Sequence, residues 1–341
     1  MQKTETHFQH TTSSAEYRQP GAAKRIAVVI INYKTPGLVL DCLASLETQL
    51  DPMTDVAVVV DNASGDGSVE MLSDQITART WGNWVRLVLS AVNKGFSGGN
   101  NLGIRSVDAE YYLLLNSDTV VRPDAIAQLL RAAEEHSEAY LISPRLEWPD
   151  GTPQVSCFRS RTLIDEMLRA ARTDVITKLF RRDGVNGDIG DEPCCPAWTS
   201  FAAVLIRRSA TKAVGLLDEG YFMYYDDIDY CQRLWQANMQ VLHWPAARIV
   251  HLRGRSGPTK ELTAQRKRPP RYWYASRSRY YAKYYGRVGL WAANFLWWIG
   301  RCISFAREAV GNKQPHTCQR EWLDIWINAM HPLKTTKVRQ S

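Results

Sequence analysis

The chain has 341 residues, 45% hydrophobic and 23% charged, with 21 Gly and 15 Pro. This composition excludes a collagen-like, low-complexity or wholly disordered protein and leaves length for one large or two modest domains. Lys and Arg number 42 against 35 Asp and Glu, a net charge of +7, and the excess is local: residues 253–287 carry eleven Lys and Arg against Glu261 alone, so the remainder is slightly acidic.

Residues 1–25 mix charges with Gln, Thr and Ser, lack the apolar stretch of a signal peptide, and read as a disordered lead-in. Ile26–Ile31 (IAVVII) is a β-branched run of the kind buried on both faces of a parallel sheet. Leu38, Val39, Cys42, Leu43 and Leu46 then fall on one helix face. Val56–Val60 predicts a second strand, running into the turn residues Asp61, Asn62, Ala63, Ser64 and Gly65. Val85–Leu89 is a third, Asn93–Gly103 a Gly/Asn loop entering a helix, and Tyr111–Leu115 a fourth strand that delivers Asn116-Ser117-Asp118. Alternating strands and helices predict a doubly wound α/β unit, a Rossmann-like, mostly parallel sheet with helices on both faces. Ligands of such sheets bind at the carboxyl ends of the strands, where Asn32, Asp61 and Asp118 fall.

From Leu141 the pattern changes to short strands and turns, with Pro149-Asp150-Gly151 a turn and the basic stretch Arg169–Pro193 a loop or flexible helix. Trp198–Ile206 reads as one buried strand, and Asp226–Trp235 as a helix with three carboxylates at its start. A strand over Arg248–Val250 ends at His251. The remainder, 258–341, reads as a basic, aromatic helical region. Its run Gly289–Gly300 has 12 residues, short of the roughly 20 a spanning helix needs. Its Trp residues and flanking Arg287 and Arg301 suit either a helix lying in a membrane interface or one docked on the protein's own core.

Asp61 could accept from a base or ribose, or cap the next helix. Asp118 could hold a divalent cation together with phosphate oxygens and water. Asp226, Asp227 and Asp229 suit a helix N-terminus, and burial beside the aromatic run Tyr221–Tyr225 would raise a carboxyl toward the range of a general base. His251 is a metal ligand or a structural histidine. Seven cysteines without a C-x-x-C pair, two of them adjacent (Cys194 and Cys195), read as reduced thiols. The first strand leads to Asn32-Tyr33-Lys34 rather than G-x-G-x-x-G, which sets aside a dinucleotide dehydrogenase. A basic protein gripping nucleic acid or another polyanion through 253–287 is the competing reading.

Six blocks, VVIINYKTPGLVLDCLASL, VVVDNASGDGS, NKGFSGGNNLGI, YYLLLNSDTVV, FMYYDDIDYCQR and HLRGRSG, occur in the order and approximate spacing of the family 2 glycosyltransferases, and the chain resembles their bacterial rhamnosyltransferase-like members over Ile26–Gly257. The resemblance implies a GT-A catalytic domain at 26–257, with a nucleotide-binding half at 26–123 and an acceptor half at 124–257. It implies an inverting mechanism and a nucleotide-diphosphate sugar donor (dTDP- or UDP-linked). Asn32, Asp61, Asn62, Asn93, Lys94, Gly98, Asn100, Asn116 and Asp118 become donor-binding residues, with Asp61 on the base. Asp118 and His251 become ligands of Mg²⁺ or Mn²⁺, although Asn116-Ser117-Asp118 carries one carboxylate fewer than the family's Asp-x-Asp. The family's Glu-Asp pair is here Asp226-Asp227, with Asp227 as the base. The expected product is a glycan or lipid-linked saccharide for cell-surface polysaccharide. The expected location is cytoplasmic, peripheral on the inner face of the cell membrane, with no nucleic-acid partner.

Overall fold

Four adjacent strands take the order β3-β2-β1-β4, all parallel: β1 (Lys24–Asn32) and β2 (Asp55–Asp61) are β-branched runs buried on both faces, β4 (Ala109–Asn116) is a buried Tyr/Leu run, and β3 (Val85–Leu89) is the half-exposed edge strand. The computed structural model describes residues 23–173, 191–252, 254, 259–311 and 316–334. Most of the expected lead-in lies outside these residues, but Lys24 and Arg25 belong to β1: Arg25 reaches Asp55 across the β1–β2 pair, Nη2 to Oδ2 2.6 Å.

Beyond β4 the sheet continues through β9 (Ala203–Arg207), β6 (Ala139–Glu147), β10 (Gln240–His251) and β5 (Thr119–Val121) to eight strands. β9 runs antiparallel to both neighbours, β6 and β10 are parallel, and β5 closes the edge antiparallel to β10. Side chains alternate along β1, Ile26, Val28 and Ile30 entering one core and Ala27 and Val29 the other. The first core is covered by α1 (Pro36–Leu46), α2 (Ser68–Ala78) and α4 (Ala125–Glu135), the second by α3 (Gly95–Arg105), α6 (Arg208–Val214) and α7 (Asp226–Gln236). The sheet is thus mostly parallel with helices on both faces.

Four local readings are corrected. Of the expected loop Asn93–Gly103 only the first two residues precede the helix, because α3 already begins at Gly95, whose positive φ starts the turn. Leu141 lies within the nine-residue β6, not among short strands; Pro144 is accommodated where the β6–β10 register shifts between Trp244 and Arg248, so it does not break the strand. Trp198–Ile206 is two strands. β8 (Trp198–Thr199) pairs with β7 (Cys157–Phe158) in a separate small sheet, and the chain turns at Ser200, whose N–H donates to Ser156 O at 2.9 Å and whose Oγ accepts from Ala202 N at 3.4 Å. The start of the basic stretch belongs to α5 (Ile164–Ala171), while 174–190 lie outside the described residues.

The C-terminal region comprises α8 (Thr259–Ala264), α9 (Arg271–Ala309) and α10 (Glu321–Asp324). α9 is two helical segments meeting at Gly286. Its first segment packs Tyr280 and Tyr281 against Tyr221, Tyr225 and Ile228; its second lies on α5, where a Cβ at Gly300 would come within 2.2 Å of Met167 O. In the run Gly289–Gly300, Leu290, Ala293 and Trp297 point inward, whereas Trp291, Phe295 and Trp298 are exposed. All seven cysteines are free thiols.

Candidate active site

The carboxyl ends of β1 and β2 meet through side chains. Asn32 Nδ2 donates to Asp61 Oδ1 at 2.7 Å, and Ser64 donates to the same carboxylate through Oγ (2.6 Å, to Oδ1) and its backbone N–H (3.1 Å, to Oδ2). A carboxylate offers about four acceptor positions, so one on Oδ2 is left over after the turn is satisfied.

Asn62 and Asn93 stitch the loop before α3. Asn62 Nδ2 donates to Asn93 Oδ1 (3.1 Å) and Gly95 O (3.0 Å), and Lys94 N–H donates to Asn62 Oδ1 (2.9 Å). The Lys94 side chain is exposed. Gly98 faces Lys94 Cβ, where an added Cβ would stand 2.5 Å away. Asn100 Nδ2 donates to Phe96 O at 3.0 Å, while its buried Oδ1 has no protein donor.

Gly95 ties this loop to the acid-bearing segment. Its φ is +68°, Phe96 N–H donates to Phe222 O at 2.7 Å, and a Cβ at Gly95 would sit 2.0 Å from that same oxygen. Asn101 makes a second tie, exchanging bonds with Leu217 and reaching Glu219 Oε1 at 3.0 Å. Neither contact is visible in the sequence, although an unusually Gly/Asn-rich helix start signals close backbone approach.

Asp118 follows β4, and its backbone carbonyl accepts from Leu252 N–H at 2.9 Å just past the β5–β10 pairing of Thr119 with His251. The pairing sets His251 Nε2 3.5 Å from Asp118 Oδ1. Both side chains are nearly excluded from solvent, and His251 Nδ1 has no protein partner. Asn116 lies at the end of β4, its side-chain amide without a hydrogen bond among the described residues, while its backbone carbonyl accepts from Thr119 Oγ1 at 2.7 Å. Among the described residues no cluster of three or more His, Cys, Asp or Glu could hold a metal. A carboxylate beside an imidazole fits a divalent cation whose other ligands come from phosphate oxygens and water.

α7 begins at Asp226, after Tyr224 and Tyr225 in left-handed backbone conformations. Burial pushes the Asp227 carboxyl up to about 6, partly offset by the N–H of Ile228 (2.8 Å) and the charge of Arg161. Burial and then the Asp227 charge raise Asp226 well above the carboxylate range. Asp229 is consumed structurally: it accepts from Tyr221 (3.2 Å), Tyr284 (2.9 Å) and Arg233 (2.9 Å) and pairs with Lys283 (2.6 Å). Arg161, absent from the sequence reading, stacks on Tyr225 at 5.0 Å and bonds Glu166 at 3.2 Å.

Much of the chain matches two family models, glycosyl transferase family 2 over residues 27–179 and glycosyl transferase family group 2 over residues 111–309. It belongs to the family 2 glycosyltransferases, and is therefore an enzyme of sugar transfer rather than a polyanion-binding protein. A Mycobacterium tuberculosis protein, N-acetylglucosaminyl-diphospho-decaprenol L-rhamnosyltransferase, is 29% identical over 262 residues, covering 71% of this chain and 81% of its own. Among solved structures, the mannosyltransferase PcManGT from Pyrobaculum calidifontis with GDP-Man and Mn²⁺ superposes with a TM-score of 0.54 at 14% identity, covering 92% of this chain and 87% of its own. GalNAc-T7 with UDP, GalNAc and Mn²⁺ gives 0.54 at 13% identity over 91% of this chain, which spans 55% of that protein's. These likenesses establish the GT-A fold.

Proposed function

We propose that the chain is an inverting glycosyltransferase that moves L-rhamnose from a dTDP- or UDP-linked donor to a saccharide carried on a lipid pyrophosphate. The sugar and the acceptor class are suggested by the mycobacterial relative, whose name gives its acceptor as N-acetylglucosaminyl-diphospho-decaprenol. The observation that carries the chemistry is Asp227, a carboxylate held near pH 6 at the head of α7, on a segment bonded to the donor loop through Phe222 and Phe96.

In this reading Asp227 takes the proton of the acceptor hydroxyl as its oxygen attacks the anomeric carbon, and the bond to the nucleoside diphosphate breaks on the opposite face with its electron pair. Asp226 keeps the second acidic position. The spare acceptor position of Asp61 serves a base N–H, with Asn32 orienting the carboxylate. Asn62, Asn93, Lys94, Gly98 and Asn100 shape the donor pocket, and the unpartnered Asn100 Oδ1 accepts from donor hydroxyls. Asp118 and His251, with Asn116 beside them, would hold Mg²⁺ or Mn²⁺, which supplies charge neutralisation for the leaving pyrophosphate.

The reading divides the chain into a catalytic unit at 26–257 and a C-terminal region at 258–341, and places it on the inner face of a membrane. No helix among the described residues is long and apolar enough to cross one. The test is release of nucleoside diphosphate across a panel of sugar nucleotides including dTDP-rhamnose, with mass analysis of the acceptor product. Release from a different donor alone overturns the sugar assignment, and release from none overturns the reading.

A further inference from the structure

Among the described residues, nothing covers a continuous aromatic face of the C-terminal region. Trp291, Phe295, Trp298 and Phe305 of α9 stand exposed, Phe295 at 65% and Trp291 at 50%, and Trp322 and Trp326 extend the face. Trp326 meets Trp291 edge-on with ring centroids 5.5 Å apart, and Trp322 meets Trp298 at 6.2 Å. Exposed apolar surface this concentrated marks an interaction site.

Charge identifies the partner. Between residues 287 and 334 the carboxylates are Glu308, Glu321 and Asp324, and each is paired, with Arg301, Arg169 and Arg268 respectively. Arg287, Arg320 and Lys334 are exposed and make no ion pair among the described residues. The face is therefore apolar with uncompensated positive charge, complementary to an anionic lipid surface. Two copies pressed together through it would bring like charges into proximity.

We infer that this face inserts into the headgroup layer of an anionic bilayer, and that aromatic burial rather than the basic band 253–287 supplies most of the affinity. The inference deepens the lipid-linked acceptor reading and rests on it for the choice of a membrane. Much of the band is already engaged: Arg268 pairs with Asp324, Arg277 with Glu166, and Arg279 and Lys283 with Asp218. Arg253 and Arg255 lie outside the described residues. Indole rings are favoured at the headgroup level, and buried aromatic area holds an interfacial helix in place.

The test is co-sedimentation of the full chain with phosphatidylcholine vesicles carrying anionic phosphatidylglycerol, at about 0.1 M and about 1 M salt, between which the screening length falls from about 10 to about 3 Å. Binding should weaken but persist at the higher salt, because the exposed cations are screened whereas burial of apolar area is not. The Trp291→Ser, Phe295→Ser double variant should bind at least about tenfold more weakly, a conservative figure for two large side chains. Its thermal melt should lie within a few degrees of the parent's, since Phe295 is exposed and Trp291 loses only its half-exposed edge contact with Trp326. Absence of vesicle binding, parental binding by a folded double variant, or loss of binding in the higher salt overturns the inference. So does a dimer in light scattering that the double variant dissociates. Vesicle binding without sugar transfer to any acceptor would instead leave this inference standing and overturn the transfer reading.

Discussion

Arg277 and Glu166 face each other between α9 and α5 with no solvent exposure on either side chain, Nε to Oε2 3.0 Å. Glu166 also accepts from Arg161 (3.2 Å), Arg169 (3.0 Å) and Tyr281 (2.9 Å). Burial alone would raise this carboxyl, but Arg277, Arg169 and Arg161 hold it well below the ordinary glutamate range. Removing the shared anion leaves Arg161 and Arg277 without a carboxylate, while Arg169 keeps Glu321, so Glu166→Gln should cost about 3–5 kcal/mol in urea unfolding at neutral pH. Arg277→Met should cost less, because two arginines remain on Glu166. Because the folded-state value is depressed, the contribution of Glu166 is fully present above the unfolded glutamate value and is lost as pH falls through the folded one. Equal costs for the two variants would show that the pairings of Glu166 with Arg161 and Arg169 add nothing beyond its pairing with Arg277.

Asp227→Asn should lower turnover at least about 100-fold while leaving donor binding nearly unchanged, as expected for loss of a general base. The same change should stabilise the fold. A carboxyl raised from 3.8 to about 6 costs stability that grows as pH rises between those values and is complete above 6. The variant's advantage should be on the order of 1–3 kcal/mol at pH 7 and shrink toward pH 4. In the parent, kcat/KM should fall as pH drops below about 6, where Asp227 takes up a proton. An Asn variant that is inactive and less stable at pH 7 points to a structural role for this residue.

Chelation should lower transfer by at least about 100-fold, and added Mn²⁺ or Mg²⁺ should restore it. His251→Ala should weaken Mn²⁺ uptake in the presence of the nucleoside diphosphate, followed by electron paramagnetic resonance. Full activity in EDTA would assign leaving-group neutralisation to the chain's own cations.

Gly95→Ala places a methyl group on the Phe222 carbonyl at a positive φ, so it should cost about 1–3 kcal/mol and raise the donor KM more than it lowers kcat. Gly82→Ala, with nothing within 4 Å of the added atom, is the control. Indistinguishable donor KM values for the two variants would separate the Gly95–Phe222 contact from donor binding.

The first two strands were legible because burial on both faces demands uninterrupted β-branched residues, a pattern that IAVVII and VAVVV display without reference to the rest of the chain, and the next two as short apolar runs bounded by polar turns. β6 was not, because whether Pro144 ends a strand depends on a register shift in its partner β10. Ser200 divides two strands through bonds to Ser156 and Ala202, and an apolar run does not encode that choice. Asn32 and Asp61 could be placed by the topology rule, and Asp118, His251 and Asp227 by their motif blocks. Arg161, Glu166 and Phe222 could not, since their importance lies in contacts between distant segments: Arg161 with Tyr225, Glu166 with Arg277, Phe222 with Gly95 and Phe96.

The attachment of Tyr284 and Lys283 to Asp229 bears on how this enzyme can be dissected. Asp229 sits two positions after Asp227 in the first turn of α7, and a chain cut before Thr259 would leave its buried carboxylate without two of its partners and uncover Tyr221, Tyr225 and Glu166 as well. Deletion of the tail therefore removes support from the segment that carries Asp227 and takes away the exposed aromatic face in one stroke, and loss of activity in such a fragment reports on neither alone. Substitutions confined to the outward side of α9 keep the inner side, with Tyr280, Tyr281 and Arg277, in place and allow the two roles to be assayed independently.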